Sequence, residues 1–347
     1  MVIAFYISGH GFGHASRSLE VIRALLDKHP GLRVDVKTTV AKWLVDTAQL
    51  ERTTYQRLDV DVGMTQKDSL TIDVADTARR AAEFYREFDR RAGEEAHALR
   101  ARDTTLVLSD IPPLAHAAAA RAGIPSIAVS NFTWDWIYEH YPTFDREAPG
   151  VLRQIRDAYA LADRALRLPM HGGFASFRRI VDLPFIARRS TRAREETRRI
   201  LNVPADRLVV LPSFGAYGVE MPSALAAERG DLTVLAPASA LAPPLRYQDL
   251  VAAADVVVTK PGYGIVSECI ANGTPMLYTS RGDFAEYDVF VAEMPRYLRC
   301  RFIPQEDFRL GRWRTHIDAL LAQPEPPERL DTNGADVAAQ SILTEDW

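Results

Sequence analysis

Lysine is nearly absent. The 347-residue chain carries 42 basic side chains, 5 lysines and 37 arginines, and all the lysines but one lie in the first 67 residues. The exception is Lys260. Cysteine is scarcer still: Cys269 and Cys300 have no CxxC spacing, which argues against a disulfide framework and a zinc ribbon. No uncharged apolar run reaches the ~18 residues of a spanning helix. The apolar start, Val2–Ile7, is short, follows no basic residue and runs into Gly9-His10-Gly11, so it reads as a strand and turn rather than a signal peptide. A cytoplasmic setting is the expectation. A formal net charge of −4 gives no reason to expect nucleic acid, and peripheral membrane contact is left open without being indicated. With 47% hydrophobic and 25% charged residues the chain is an ordinary globular one, and its length predicts two domains. The arginine excess fits a GC-rich genome.

Short apolar runs alternate with helical patterns. Val2–Ile7 and Arg33–Thr38 read as strands, with Leu19, Ile22, Leu25 and Leu26 at helical spacing between them. Residues 106–108 and 126–129 are two more strands, separated by an alanine-rich helix at 114–122. A long charged helix is expected between residues 75 and 102. The pattern restarts with strands at 208–211, 232–235, Val256–Thr259 and Met276–Tyr278. Strand–helix alternation implies parallel sheets with right-handed crossovers, and two such series imply two doubly wound α/β domains. The boundary is placed between Leu183 and Pro204. That stretch holds Arg188, Arg189, Arg192, Arg194, Arg198 and Arg199 against Glu195 and Glu196. It reads as a solvated face near a linker, with an anionic acceptor or membrane surface as the sharper alternative.

In open α/β sheets ligands bind outside the carboxyl ends of the strands, and three glycine-rich turns fall there. The first is Ser8-Gly9-His10-Gly11-Phe12-Gly13-His14. It is neither a GxGxxG fingerprint nor a Walker A loop, yet it sets backbone N–H groups and two histidines at a helix start. The second is Ser213-Phe214-Gly215-Ala216-Tyr217-Gly218. The third is Thr259-Lys260-Pro261-Gly262-Tyr263-Gly264, followed one turn later by Glu268. Glycines after a strand let a ligand approach, and the next helix start favours phosphate. Glu268 could accept from sugar hydroxyls or be a solvated helix residue.

At these residues the chain resembles GT-B glycosyltransferases. His14 in its glycine loop and the 260–268 stretch resemble two loops of the bacterial N-acetylglucosaminyltransferase that completes the lipid-linked peptidoglycan precursor. A closer resemblance is to the glycosyltransferase-like N-terminal half of L-arabinokinases, carried by GHGFGHASRSLEVIRAL (9–25), QKDSLTID (66–73), SDIPPLAHAAA (109–119), SNFTWDWIYEHY (130–141) and KPGYGIVSE (260–268). Nothing resembles the phosphate-binding loop of the kinase half, so sugar kinase activity is not implied. The resemblance implies two Rossmann-like domains facing across a cleft. Residues 1–187 would bind acceptor, 188–330 would bind a nucleotide sugar, and a helix within 331–347 would pack back on the first domain. It makes His14 the catalytic base. Gly262, Tyr263 and Gly264 become the diphosphate turn, with Gly11, Gly13 and Gly215 in the other loops, and Glu268 the ribose ligand. Asp283 and Glu286 fall beside the donor sugar. Arg17 stands where the wider family often has proline, and Glu286 where the peptidoglycan enzyme has glutamine.

Glycosyl transfer needs a base for the acceptor hydroxyl and stabilisation of the departing diphosphate. A histidine suits the first role, and a carboxylate often orients it. Asp110, after the strand at 106–108, is expected to pair with His14; the alternative is an N-cap for the next helix. Lys260 and the helix start at Gly264 suit the second role, so no metal and no cofactor beyond a donor, UDP-linked, is expected. The Asp59-Val60-Asp61 triplet superficially resembles a metal-binding DxD but lies far from the nucleotide loop. His10, Arg17, Trp134 and Trp136 are acceptor-side candidates, within an aromatic run at 132–144 that ordinary packing half explains. Cys269 reads as core, and no GxSxG elbow is present. The expected function is an inverting, metal-independent transfer from a nucleoside-diphosphate sugar to a small-molecule or lipid-linked acceptor. A nucleotide-sugar epimerase or hydrolase, or a non-catalytic nucleotide-sugar-binding module, are the alternatives.

Overall fold

A computed structural model describes residues 1–68, 70–215, 232–236, 241 and 243–344. The chain divides into two compact units. The first comprises Met1–Lys67, Ile72–Ile186 and Asn333–Trp347; the second comprises Asp68–Thr71 and Ala187–Thr332.

The first unit holds seven parallel strands: β1 (Val2–Ile7), β2 (Arg33–Thr38), β3 (Thr53–Arg57), β4 (Leu106–Asp110), β5 (Ser126–Phe132), β6 (Arg164–Gly172) and β7 (Ile180–Asp182). Their order is β3-β2-β1-β4-β5-β6-β7. β1, β4 and β5 are buried along their whole length, which explains the apolar runs at 2–7, 106–108 and 127–129 within them. The order reverses between β1 and β4, and at such a switch point the connections leave in opposite directions and open a crevice at the carboxyl ends. Ile7, at the end of β1, pairs with Asp110, at the end of β4.

The second unit holds β8 (Leu208–Ser213), β9 (Leu232–Val234), β10 (Val256–Thr259), β11 (Met276–Tyr278) and β12 (Cys300–Phe302), all parallel, in the order β12-β11-β10-β8-β9. Its switch point lies between β8 and β10, where Ser213 pairs with Thr259. The core beneath combines Val210, Val256, Val258 and Leu277 with Phe308, Trp313 and Ile317.

At Asn333 the chain returns to the first unit. Asn333 bridges Ile186, Gly334 donates to the Phe185 carbonyl at 2.9 Å, and a Cβ at Gly334 would lie 2.3 Å from the Pro184 carbonyl oxygen. The Gly334–Leu343 helix is fastened by Arg164, which donates to the Ser341 carbonyl at 2.8 Å.

Some expectations differ from what is seen. The charged helix between residues 75 and 102 is two helices, Val74–Arg86 and Phe88–Ala101, broken at Glu87, whose backbone leaves the helical region. Asp73 caps the first by accepting from the Asp76 N–H at 3.0 Å. The arginine-rich boundary is not a free basic surface. Arg188 pairs with Glu268, Arg192 with Glu196, and Arg194 and Arg198 both with Asp255, all within the second unit. Among the described residues no helix is long and apolar enough to cross a membrane.

Candidate functional site

β1 ends at Ile7, and the chain must then turn sharply into the Phe12–Lys28 helix. Two glycines make the turn. A Cβ on Gly9 would lie 1.9 Å from Thr39 Oγ1, so only glycine fits against β2's end. Gly11, the N-cap, has φ of +76°, which L side chains rarely adopt. His14, Arg17 and Ser18 then share one helical face and are all buried.

That face meets Asp110. His14 Nδ1 lies 2.9 Å from Asp110 Oδ1. Arg17 grips the carboxylate with both prongs, Nε to Oδ2 at 2.7 Å and a terminal nitrogen to Oδ1 at 2.6 Å, while the Ser18 hydroxyl donates to Oδ2 at 3.0 Å. Arg17 also reaches Asn131 Oδ1 at 2.5 Å and Ser130 Oγ at 3.0 Å, both on β5. Burial by itself would raise the Asp110 carboxyl. The Arg17 guanidinium and His14 outweigh it and hold Asp110 well below the usual carboxylate range. An Arg17 terminal nitrogen, which can only donate, also lies 3.0 Å from Nδ1; against it, the ionised Asp110 oxygen at 2.9 Å favours a proton on Nδ1, with Nε2 as the basic nitrogen. Asp110 does not cap the next helix, whose N-cap is Pro112.

His10 sits differently. The Met64 N–H donates to its Nδ1 at 3.2 Å, and its ring meets Trp134 edge-on at 5.5 Å. His10 Nδ1 is thus an acceptor, whereas His14 Nδ1 faces the ionised Asp110 carboxylate. Arg17, an acceptor-side candidate by sequence, lies almost wholly buried as the clamp on Asp110. Trp134 likewise exposes no face. It stacks on Tyr138, and its indole N–H donates to Asp61 Oδ2 at 2.8 Å. Trp136 is half-buried and overlies Gly172, where a Cβ would come within 2.4 Å of its ring.

Asp61, by sequence part of a triplet that only superficially resembles a metal motif, takes a place beside this cluster, half-buried. Burial raises its carboxyl, and hydrogen bonds from Ser8 and Trp134 and the charge of His14 offset part of that. Ser18 and Asn131 were also missed. Helical spacing from His14 points to Ser18, and the quoted SNFTW stretch contains Asn131.

The second unit carries its own cluster at its switch point. Thr259 ends β10, and its hydroxyl donates to the Ser213 carbonyl at the end of β8. Pro261 and Gly262 lead into the Tyr263–Asn272 helix, with Gly262 as an extended N-cap and Gly264 in the first turn. Burial, and then Arg281, push Lys260 down to about 7; Asp68 works the other way. Arg281 contacts the Pro261 carbonyl at 3.4 Å and Glu286 at 3.3 Å. Glu268 is buried rather than solvated, and its Oε1 accepts from Arg188 Nε at 2.6 Å. Asp283 is exposed, and Cys269 is wholly buried. Gly215 has φ of +70°, while Ala216, Tyr217 and Gly218 of the second loop lie outside the described residues.

Solved structures that cover nearly the whole chain share this architecture. The glycosyltransferase of kitacinnamycin superposes with a TM-score of 0.58 at 20% identity, over 98% of this chain and 95% of that one. Phytolacca americana UGT2, solved with UDP-2-fluoro-glucose and pterostilbene, gives 0.58 at 11% identity, over 98% and 93%. MurG of Acinetobacter baumannii gives 0.51 at 11% identity, over 99% of each chain. The chain has the GT-B fold. In sequence it is 30% identical over 361 residues to L-arabinokinase of Arabidopsis thaliana, an alignment that takes in 99% of this chain. The chain spans about a third of that protein's length, 34%. No family model matches the sequence.

Proposed function

We propose that this GT-B chain is an inverting glycosyltransferase that needs neither a metal ion nor a cofactor. It moves a sugar from a nucleoside diphosphate, UDP in the first instance, to a hydroxyl of a small-molecule or lipid-linked acceptor. The observation that carries the reading is the Asp110–His14 contact at the first unit's switch point. Asp110 holds the Nδ1 proton, so Nε2 takes the acceptor proton as the hydroxyl oxygen bonds to the anomeric carbon. The bond from that carbon to the diphosphate oxygen breaks on the opposite face, which inverts the centre. On the second unit, Lys260 and the start of the Tyr263–Asn272 helix would stabilise the departing diphosphate, the role a metal ion would otherwise fill. UGT2's bound UDP-2-fluoro-glucose supports a uridine donor. Two free thiols, Cys269 and Cys300, suit the cytoplasm as the site of action.

His14→Ala tests the reading. Transfer from UDP-sugars across an acceptor panel should vanish while UDP binding, measured by calorimetry, stays within about twofold. Undiminished turnover would remove His14 as the base. Tight donor binding by the unaltered protein with no turnover on any acceptor would favour a binding module instead.

A further inference from the structure

We propose that Arg281, so far assigned no role, forms with Lys260 the cationic wall of a nucleoside-diphosphate site at the 260–264 turn. The inference rests on the nucleotide-sugar reading and extends it to a named phosphate ligand.

Arg281 lies in the loop between β11 and the Ala285–Tyr297 helix, well away in sequence from the turn it approaches. Its guanidinium is immobilised from three sides. The group lies 3.7 Å from the centre of the Phe284 ring, contacts the Pro261 carbonyl at 3.4 Å and meets Glu286 at 3.3 Å. It is more than nine-tenths buried. The side chain is therefore held against the glycine turn without having to be ordered by a ligand. The Cα of Gly262 carries no side chain on that side; a Cβ there would lie 4.0 Å from the nearest guanidinium nitrogen.

Burial first, and then the charge of Arg281, lower Lys260 to about 7. Glu286 pairs with the arginine, and the exposed Asp68 acts on the lysine. Gathering two cations at one partly desolvated turn is unfavourable for an empty protein. It becomes favourable when a ligand brings two negative charges, and a diphosphate does so with oxygens spaced for a planar fork. Binding would then restore the lysine proton, so diphosphate affinity should fall as pH rises through about 7.

The test is calorimetric titration of UDP, dTDP, GDP and ADP into the intact protein, Arg281→Gln and Arg281→Lys, with the matching nucleosides followed by ligand-observed NMR. Urea midpoints check that the variants fold. Arg281→Gln should weaken the preferred diphosphate at least tenfold and leave its nucleoside within twofold. Arg281→Lys, which keeps the charge but loses the fork, should fall between, and it carries the test if the glutamine variant does not fold. A glutamine variant that holds the diphosphate within twofold, or loses nucleoside and diphosphate equally, overturns the role of Arg281 alone. An unaltered protein that binds none of the four diphosphates overturns the inference together with the donor reading.

Discussion

Nδ1 of His14 lies 2.9 Å from Oδ1 of Asp110, and Arg17 grips that carboxylate through two nitrogens from the same helix as the histidine. One helical turn thus supplies both the group the aspartate orients and the group that keeps the aspartate ionised. Asp110→Asn should separate these functions. The amide can turn its NH2 toward Nδ1 and select the wrong tautomer, so turnover should fall by on the order of 10²–10⁴. Arg17 would also be left buried without its counter-charge, which costs about 3–5 kcal/mol. Adding Arg17→Gln to Asp110→Asn should recover much of the urea midpoint but none of the turnover. If the double variant regains activity, the carboxylate serves the fold and not the histidine.

The same contact predicts a pH signature. The folded Asp110 carboxyl is held below its unfolded value of about 3.9. A depressed carboxylate contributes stability that is complete above the unfolded value and is lost as pH falls toward the folded one. Below about pH 4 the unaltered protein should therefore lose stability more steeply than the Asp110→Asn/Arg17→Gln double variant. Urea midpoints at pH 5, 4 and 3 measure the difference, and parallel slopes would show that the ion pair contributes no acid-labile stability.

These two predictions rest on residues that were legible in the sequence to different degrees. The glycine–histidine loop and Asp110 were visible because each follows an apolar strand, and strand ends are where an α/β sheet binds. Arg17 was visible as a departure from a family pattern and as an acceptor-side candidate, not as the clamp on Asp110. Nothing local shows that a residue one turn after His14 reaches across to β4 and β5, since that depends on the helix's rotation over the sheet. Asp61 reads in sequence only as part of a triplet far from the nucleotide loop, whereas hydrogen bonds from Ser8 and Trp134 hold it beside the histidine loop. β3, β6, β7 and β12 were missed for a related reason. Their stretches mix polar and charged residues with apolar ones, as in Thr53–Arg57 and Ile180–Asp182, and their places are set by pairing rather than by pattern.

Gly9 offers a test of how the loop is held. Gly9→Ala puts a Cβ 1.9 Å from Thr39 Oγ1, far inside any tolerable contact. The loop must shift, at a cost of about 1–3 kcal/mol, and His14 should move with it. Thr39→Ala removes the oxygen and leaves the next atom 3.2 Å away, so the double variant should recover most of both stability and activity. Additive losses in the cycle would mean that Gly9 is required for some reason other than Thr39.

Glu268 is the residue whose structural and binding roles compete most directly. Its Oε1 is held by Arg188 at 2.6 Å, and the carboxylate is almost fully enclosed. Such a pairing fixes the carboxylate in direction, as accepting from a ribose hydroxyl requires. It would equally suit a glutamate that merely anchors the start of the second unit, where Arg188 lies. Glu268→Gln distinguishes the two because glutamine keeps the shape and one acceptor oxygen. A charged hydrogen bond to a hydroxyl contributes roughly 1.5–3 kcal/mol, or about 10–100-fold in affinity. If Glu268 holds the ribose, the variant should bind UDP about tenfold or more weakly and lose its preference for UDP over 2′-deoxy-UDP. If Glu268 only anchors Arg188, calorimetry should show both nucleotides weakened by the same factor, and the preference for the 2′-hydroxyl should persist.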